Sequence, residues 1–296
     1  MIRRANTTDI DFLITAIIEA EKSGSEMISY CGIFNITEAE LIKALRNMLD
    51  ENVEGQELCI SSFMIAEENG EKAAALAAWV EGKTGRSASA IKNDLLIYFL
   101  DRQKVLLATE NISLMNEIGI DRTPGTLQIE SVYTAPKFRG KGLSKQLIEA
   151  QITDYQKSGD KFEKVQVFLL GNNIAATKSY EKAGFTIVKT KQAANKAINK
   201  ILSSDTRVLM ERSCGNPSEN GILSQLNSIF AKVLKQPTLS LTPTTVATDV
   251  NGWTSLNHMI LIDSVEEHFK IKFKLNEIMK FKNVGEMVAT IEKKIS

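Results

Sequence analysis

A strand, a glycine-bearing turn and the start of a helix follow one another in Ile129-Glu130-Ser131-Val132-Tyr133-Thr134-Ala135-Pro136-Lys137-Phe138-Arg139-Gly140-Lys141-Gly142-Leu143. The proline favours the end of the strand, because it has no N–H to donate to a neighbouring strand. Gly140 and Gly142 let the backbone approach a ligand closely, and the first amides of the following helix have no helical partner. Together with the helix dipole and the charges of Arg139 and Lys141, these amides predict a pyrophosphate site.

Taken alone, the turn is more typical of a tight strand-to-helix connection than of a ligand site. It lacks the third glycine of the dinucleotide fingerprint and the Gly-Lys-Ser/Thr of a P-loop. A second motif lies one predicted strand further on, in Asn173-Ile174-Ala175-Ala176-Thr177-Lys178-Ser179-Tyr180-Glu181-Lys182-Ala183-Gly184-Phe185. In this order, the two motifs resemble the GNAT superfamily of N-acetyltransferases, which has an R-G-x-G turn followed by N-x-x-A-x-x-x-Y-E-K-x-G-F.

This resemblance covers about residues 1–212 and implies an α/β fold, with a mixed central sheet of splayed strands flanked by helices. It implies acetyl-CoA, or another acyl-CoA, as the donor. The turn amides would hold the pyrophosphate, the preceding strand would pair with the pantetheine arm, and an amide near Val132 would polarise the thioester carbonyl. The residues that it implies for cofactor binding are Val132, Tyr133, Thr134, Phe138, Arg139, Gly140, Lys141, Gly142, Leu143, Asn173 and Tyr180.

The same resemblance implies direct transfer of the acyl group, with Tyr180 protonating the departing thiolate and Glu130 deprotonating an incoming amine. Residues 1–257 contain no histidine, which excludes a Ser-His or Cys-His nucleophile there. Alternatives stay open for single residues. Tyr180 could only pack beneath its helix, Glu130 could be a structural strand carboxylate, and Asn173 could only cap a helix.

A second resemblance starts from Asp249-Val250-Asn251-Gly252-Trp253-Thr254-Ser255-Leu256-Asn257-His258, which leads into a predicted helix at residues 255–269. With the apolar helices predicted on either side, it resembles the acyl carrier protein family over about residues 219–296. That family implies an all-α four-helix bundle with 4′-phosphopantetheine covalently bound to Ser255. The phosphodiester would lie at the positive end of the helix dipole. Thr254 replaces the usual aspartate, and Ser255 could instead be only the N-cap.

The surface of this predicted second helix bears on partner recognition. The residues expected on its apolar side are Leu256, Met259, Ile260, Val265 and Phe269. An acidic face for partner enzymes would keep Asp263, Glu266 and Glu267, whereas His258 and His268 are expected to be solvated surface groups with no metal-ligand spacing.

Local patterns predict the remaining elements. Thr37 and Glu40 have the spacing of a capping box, and Asn69-Gly70 is typical of a hairpin turn. Strands are expected at 1–4, 62–66, 73–80, 126–134, 164–170, 185–189 and 205–212. Helices are expected from near residue 9, at 37–50, at 142–156, at 173–183 and at 219–235, with about two more within 86–120. This last insertion is longer than relatives have, so their acceptor pocket cannot be transferred to this chain.

The length suits two domains, and the turn-rich stretch at 213–218 predicts a linker between them. The two resemblances imply that the domain at 1–212 is the transferase and the domain at 219–296 the carrier. The 36 basic residues equal the 36 acidic ones, so net charge attracts neither nucleic acid nor an anionic membrane. Three widely spaced cysteines argue against a disulfide framework or a zinc site, and a cytoplasmic location is expected. No apolar run is long enough for a membrane span.

Three functions are compatible with this sequence. The first domain could transfer an acyl group from coenzyme A to an amine, either a small molecule or one tethered to the carrier. It could instead load the pantetheine thiol of its own carrier, or bind coenzyme A without turnover as a docking module. The expected partners are a phosphopantetheinyl transferase and other enzymes of a carrier-dependent biosynthetic pathway.

Overall fold

The computed structural model of the chain describes residues 1–214, 217–237 and 239–295, without the side chains of 217–221. The chain divides into two compact units, Met1–Cys214 and Gly215–Ser296. Residues 215 and 216 of the predicted linker lie outside the described residues, and Ser213 ends a strand. Within the described residues, no helix is both long and apolar enough to cross a membrane.

The first unit is built on a mixed sheet, for which seven strands are described. In chain order these are β1 (Ile2–Arg4), β2 (Phe63–Glu68), β3 (Glu71–Val80), β4 (Leu127–Thr134), β5 (Lys164–Leu170), β6 (Thr186–Gln192) and β7 (Thr206–Ser213). Their order across the sheet is β1-β2-β3-β4-β5-β7-β6, antiparallel except for the parallel pair β4 and β5. The last strand of the chain therefore inserts between two earlier strands.

Helices cover both faces of this sheet. They are α1 (Ile10–Lys22), α2 (Ser29–Phe34), α3 (Glu38–Glu51), α4 (Ala88–Phe99), α5 (Arg102–Leu107), α6 (Thr109–Glu117), α7 (Leu143–Lys157) and α8 (Ile174–Lys182). Apolar side chains of α1 to α6 pack in one core on one face, and those of α7 and α8 pack in a second core on the other. This arrangement confirms the predicted α/β class with a mixed sheet flanked by helices.

Two local predictions are confirmed, and one is wrong. The Thr37 hydroxyl accepts from the Glu40 amide at 3.2 Å while the Glu40 carboxylate accepts from the Thr37 amide at 2.8 Å, a complete capping box. Asn69 and Gly70 both have positive φ in the β2–β3 turn. The insertion holds three described helices rather than two, because Leu100 is extended and Asp101 caps a new helix by accepting from two amides.

The second unit is helical. The described helices are α9 (Pro217–Val233), α10 (Ser255–Phe269), α11 (Leu275–Ile278) and α12 (Val284–Ile295). Their common core contains the predicted apolar residues of α12, namely Val284, Met287, Val288 and Ile291. A helical acyl-carrier-like unit was predicted here and is confirmed.

The predicted faces of α10 need correction. Leu256, Met259 and Ile260 are 74%, 51% and 45% exposed, whereas Leu261 and Ile262 are buried in their place. The helix is apolar on more than one side, so periodicity alone could not select the buried face.

Two polar residues of α10 also lie differently from their prediction. Glu266 is buried, pairs with Lys272 and accepts from the Phe273 amide at 2.7 Å, so it does not belong to an acidic outer face. His258 is half-buried and accepts at Nδ1 from Trp253 Nε1 at 3.0 Å, and burial lowers its pKa.

Candidate active site

The two central strands part midway along the sheet. β4 and β5 pair only from Leu127 to Ile129, although β4 continues to Thr134 and β5 to Leu170. Ser131 has a φ of 51°, and the register with β3 shifts beside it, which is the geometry of a β-bulge. The bulge bends β4 away from β5. The predicted splay is therefore present, and backbone groups on this side of β4 beyond Ile129 have no strand partner among the described residues.

A cavity of about 390 Å³ opens beside this splay and the turn that follows it, and we name it the turn cavity. Of the predicted cofactor residues it is lined by Val132, Tyr133, Thr134, Phe138, Arg139, Gly140, Gly142, Leu143 and Tyr180. Two predicted residues lie elsewhere. Lys141 is exposed and donates to Glu68 at 3.2 Å, and Asn173 lines a different cavity.

The turn itself presents free amides. Gly140 and Gly142 have φ values of 81° and 73°, in the left-handed region that glycine tolerates. Within the part of the chain that the structure describes, no amide from Gly140 to Lys145 has a hydrogen-bond partner. Such a run of N–H groups at the N-terminus of α7 can bind an anion, because the helix dipole adds to their donors.

A larger cavity of about 830 Å³ lies against the sheet face that α1 to α6 cover, and we name it the sheet cavity. Residues of α2, α4 and α6 line it, so the long helical insertion supplies part of its wall. Its ionisable lining residues are Glu19, Glu21, Tyr30, Glu81, Lys92, Asp121, Arg122, Glu130, Tyr180 and Arg207. The cavity combines this charge with apolar side chains from the helices.

Tyr180 lines both cavities, as Val132 and Ala176 do. Its ring is buried and packs edge-on against the Phe185 ring, with 5.8 Å between the two ring centroids. Burial, with the nearby charge of Glu130, raises the pKa of the phenol well above its ordinary value. The hydroxyl therefore keeps its proton at neutral pH, and it makes no hydrogen bond to any other described residue.

Glu130 is bound in a charge cluster. It pairs with Arg122, whose guanidinium lies 5.3 Å from the Trp79 ring centroid and 5.4 Å from that of Phe168. Burial alone would raise the pKa of Glu130, but the positive charges of Arg122, Lys92 and Arg207 hold that pKa below its ordinary value. Glu130 is thus an anion throughout the neutral range and a weak proton acceptor.

Glu21 differs from Glu130 although it lines the same cavity. It is the second-last residue of α1, and its carboxylate accepts from the Ser29 hydroxyl. Burial raises its pKa to about 7, against the opposing charge of Lys92. Sequence reasoning missed Glu21, and also Lys92, Arg122 and Arg207, because each lies outside the two motifs and reads as an ordinary surface charge.

Asn173 caps α8, as one of the open alternatives expected. Its side-chain oxygen accepts from the Ala176 amide at 3.1 Å, and its side-chain nitrogen donates to the Ser23 hydroxyl at 3.0 Å. The residue therefore ties the start of α8 to the end of α1 at the edge of the sheet cavity.

Ser255 is exposed at the first position of α10. The helix is capped instead by Thr254, whose hydroxyl accepts from the Asn257 amide at 3.3 Å. The alternative in which Ser255 is itself the cap is therefore wrong. Its hydroxyl makes no hydrogen bond to the described residues, and the residue is exposed at a helix N-terminus.

Comparisons with known proteins identify a family for each of two parts of the chain. The model of the acetyltransferase (GNAT) family matches residues 32–185, and the model of the phosphopantetheine attachment site matches residues 224–291. No curated protein matches the chain.

Several solved structures are similar. An N-acetyltransferase from Staphylococcus aureus Mu50 is 16% identical, with a TM-score of 0.49, over 72% of this chain and 100% of that one. A protein from Salmonella typhimurium, solved with its cofactor acetyl-CoA, is 14% identical, with a TM-score of 0.41, over 73% of this chain and 94% of that one. Holo acyl carrier protein from Geobacter metallireducens is 42% identical over 27% of this chain and 86% of its own, with a TM-score of 0.24. The chain therefore belongs to the GNAT family of acetyltransferases and continues into a phosphopantetheine-binding domain of the acyl carrier protein type.

Proposed function

We propose that the first unit transfers an acetyl group from acetyl-CoA directly to an amine, and that the second unit carries 4′-phosphopantetheine on Ser255. The observation that carries the proposal is the parted β4–β5 pair, with two cavities that residues of β4 line and Tyr180 lining both. A thioester lying along the splayed part of β4 would expose its carbonyl to both cavities. The donor would then occupy the turn cavity and the acceptor amine the sheet cavity.

The donor side is built from backbone. The free amides from Gly140 to Lys145 would bind the coenzyme A pyrophosphate, with Arg139 adding charge. The unpaired backbone of β4 would bind the pantetheine arm as a neighbouring strand does. The amide near Val132 would stabilise the negative charge that develops on the thioester oxygen when the amine attacks.

Two proton transfers complete the reaction. Attack of the amine forms the amide bond and breaks the carbon–sulfur bond, and the departing thiolate takes a proton from the Tyr180 hydroxyl. The amine loses its proton to a carboxylate in the sheet cavity. A base works best when its pKa lies near the working pH, which favours Glu21 over the predicted Glu130. We assign to Glu130 the task of attracting the ammonium group by its charge.

The test uses the full chain with acetyl-CoA labelled in the acetyl group and a panel of amines. We expect labelled amide and stoichiometric coenzyme A, with kcat lowered about 100-fold or more in Tyr180→Phe. Tyr155→Phe is the matched control, because Tyr155 donates to the Ala78 carbonyl and lines neither cavity. Label on the carrier alone would favour self-loading, and label that never leaves coenzyme A would favour a docking module.

The carrier half has its own test. Mass spectrometry after co-expression with a phosphopantetheinyl transferase should show one added phosphopantetheine group, absent in Ser255→Ala. Ser264→Ala is the control, because Ser264 lies on the same helix but donates to the Ile260 carbonyl at 2.8 Å. Modification that persists in Ser255→Ala would overturn the assignment.

A further inference from the structure

Arg207 is a cation of the sheet cavity that forms no direct ion pair with the described residues. It lies at the start of β7, and its guanidinium carbon is 5.0 Å from the Phe168 ring centroid. Arg122 lies 5.4 Å from the same ring, so Phe168 contacts two guanidinium groups. Within the described residues, Arg207 makes no ion pair or side-chain hydrogen bond, which leaves all its N–H donors available.

The other cations of the cavity are already neutralised. Arg122 pairs with Glu130, and Lys92 pairs with Glu57. Burial lowers the pKa of Arg207, and the nearby charge of Arg122 adds to this effect, while the negative charges of Glu130 and Glu21 oppose it only in part. A guanidinium stays charged in proteins, so the N–H donors of Arg207, which have no direct partner among the described residues, suit an anion that enters the cavity.

The remaining acidic residues that line the cavity form no ion pair with Arg207 among the described residues. Glu81 accepts from Trp79 Nε1 at 3.1 Å and from the Ala88 amide at 3.0 Å, Glu19 binds Lys22 at 2.8 Å, and Asp121 is exposed. Glu21, with a pKa of about 7, is anionic in only part of the molecules at neutral pH.

We propose that Arg207 binds a carboxylate of the acceptor, so that the substrate class is an amine that carries a carboxylate, such as an amino acid. This inference rests on the proposed function and identifies the acceptor for the same site. The planar fork of donors on a guanidinium matches the two oxygens of a carboxylate. Arg207 is then a specificity-determining residue that positions the amine by binding its carboxylate beside Phe168.

The charge of the cavity favours this class over two others. One unpaired cation matches a monoanionic carboxylate, whereas a phosphate dianion would leave one negative charge unmatched. A polyamine offers no anionic group to Arg207 and would place a second positive charge beside it. A zwitterion satisfies both ends, because its ammonium group can approach Glu130 and Glu21 while its carboxylate approaches Arg207.

The experiment compares the common amino acids with their α-carboxamides as acceptors, by release of coenzyme A from acetyl-CoA. We expect kcat/KM for the best amino acid to exceed that of its carboxamide about 100-fold or more, because the carboxamide leaves Arg207 unpaired. Arg207→Gln should lower the amino-acid value about 100-fold, mainly through KM, and leave the carboxamide value within a few-fold. Arg207→Lys should restore part of the difference, since it keeps the charge without the fork. Arg102→Gln, an exposed change on α5 outside both cavities, should alter neither value.

A binding measurement separates failure of this inference from failure of the proposed function. Calorimetry with N-acetyl amino acids and their carboxamides reads acceptor-side binding without turnover. Tighter binding of the acids in the wild type, lost in Arg207→Gln, supports the inference even if no amine is acetylated. Equal binding of acids and carboxamides, or equal turnover of both, overturns it while leaving an amine acetyltransferase intact. Preference for O-phosphoethanolamine over every amino acid would also overturn it.

Discussion

The turn cavity and the sheet cavity differ in the groups that line them. The turn cavity is bordered by two glycines of a single turn and by consecutive backbone amides without partners among the described residues. The sheet cavity takes its charges from α1, α4, β4, β7 and the loop before β4, elements that are far apart in sequence. A cofactor shared by a whole family can be bound by backbone geometry, whereas an acceptor particular to one enzyme is selected by side chains.

The largest expected effect tests which side chain of the sheet cavity, Glu21 or Glu130, accepts the proton of the amine. Glu21→Gln should lower kcat/KM at pH 8 by about 100-fold, because it removes the carboxylate of pKa about 7 that we propose as the base. In the wild type, activity should fall as pH falls through about 7, since Glu21 must lose its proton before it can accept one. The measurement is the pH profile of kcat/KM for wild type, Glu21→Gln and Glu130→Gln.

A stability measurement checks the Glu21 pKa without turnover. The pKa of Glu21 rises from 4.5 to about 7 on folding, so the folded state binds the proton more tightly than the unfolded state. The carboxylate therefore costs stability that grows as pH rises from about 4.5 to about 7, up to about 3 kcal/mol. Glu21→Gln should be more stable than wild type at pH 8 and equal to it near pH 4.

The pH profile of kcat/KM gives the contradicting outcome. If its fall at low pH persists in Glu21→Gln and disappears in Glu130→Gln, Glu130 rather than Glu21 is the base.

The ion pair between Glu130 and Arg122 in the sheet cavity should also contribute to the stability of the first unit. Glu130→Ala leaves Arg122 buried between Trp79 and Phe168 without its anion, which should destabilise the first unit by about 3–5 kcal/mol. Urea unfolding followed by Trp79 fluorescence measures this. The chain has two tryptophans, so a Trp253→Phe background makes Trp79 the sole reporter.

The double variant Arg122→Gln/Glu130→Gln is the control for this prediction. It removes both charges together, so its loss should be well below that of Glu130→Ala. Equal losses in the two variants would mean that packing, rather than the unpaired charge, sets the cost.

The sequence predicts what is local. The capping box of Thr37 and Glu40 and the turn at Asn69-Gly70 depend on residues within one turn of each other, and both are present. The turn between β4 and α7 is local in the same way. Glu21 and Arg207 line the same cavity only because α1 and β7 both border it, and nothing near either residue in the sequence indicates it.

Periodicity also fails where a helix is apolar on several sides. Met259 and Ile260 of α10 were predicted on its apolar side but are exposed, since Leu261 and Ile262 fill the core instead. The number of helices in the insertion depended on Asp101, a single capping residue inside an otherwise continuous helical pattern. Tertiary packing decides which side of such a helix is buried, and the spacing of apolar residues in the sequence does not predict it.

The smallest expected effect tests the backbone character of the turn cavity. Gly140→Ala places a Cβ at a φ of 81° where no atom lies within 4 Å, so the change strains the backbone without a clash. The strain is about 1 kcal/mol, and relieving it rotates the amides that we propose bind pyrophosphate. KM for acetyl-CoA should rise about fivefold with kcat unchanged. Gly125→Ala is the matched control, because Gly125 has a φ of 76°, the same open surroundings and no place in either cavity. If both variants raise KM equally, general loss of stability explains the effect; if only Gly140→Ala does, the amides of this turn bind the donor.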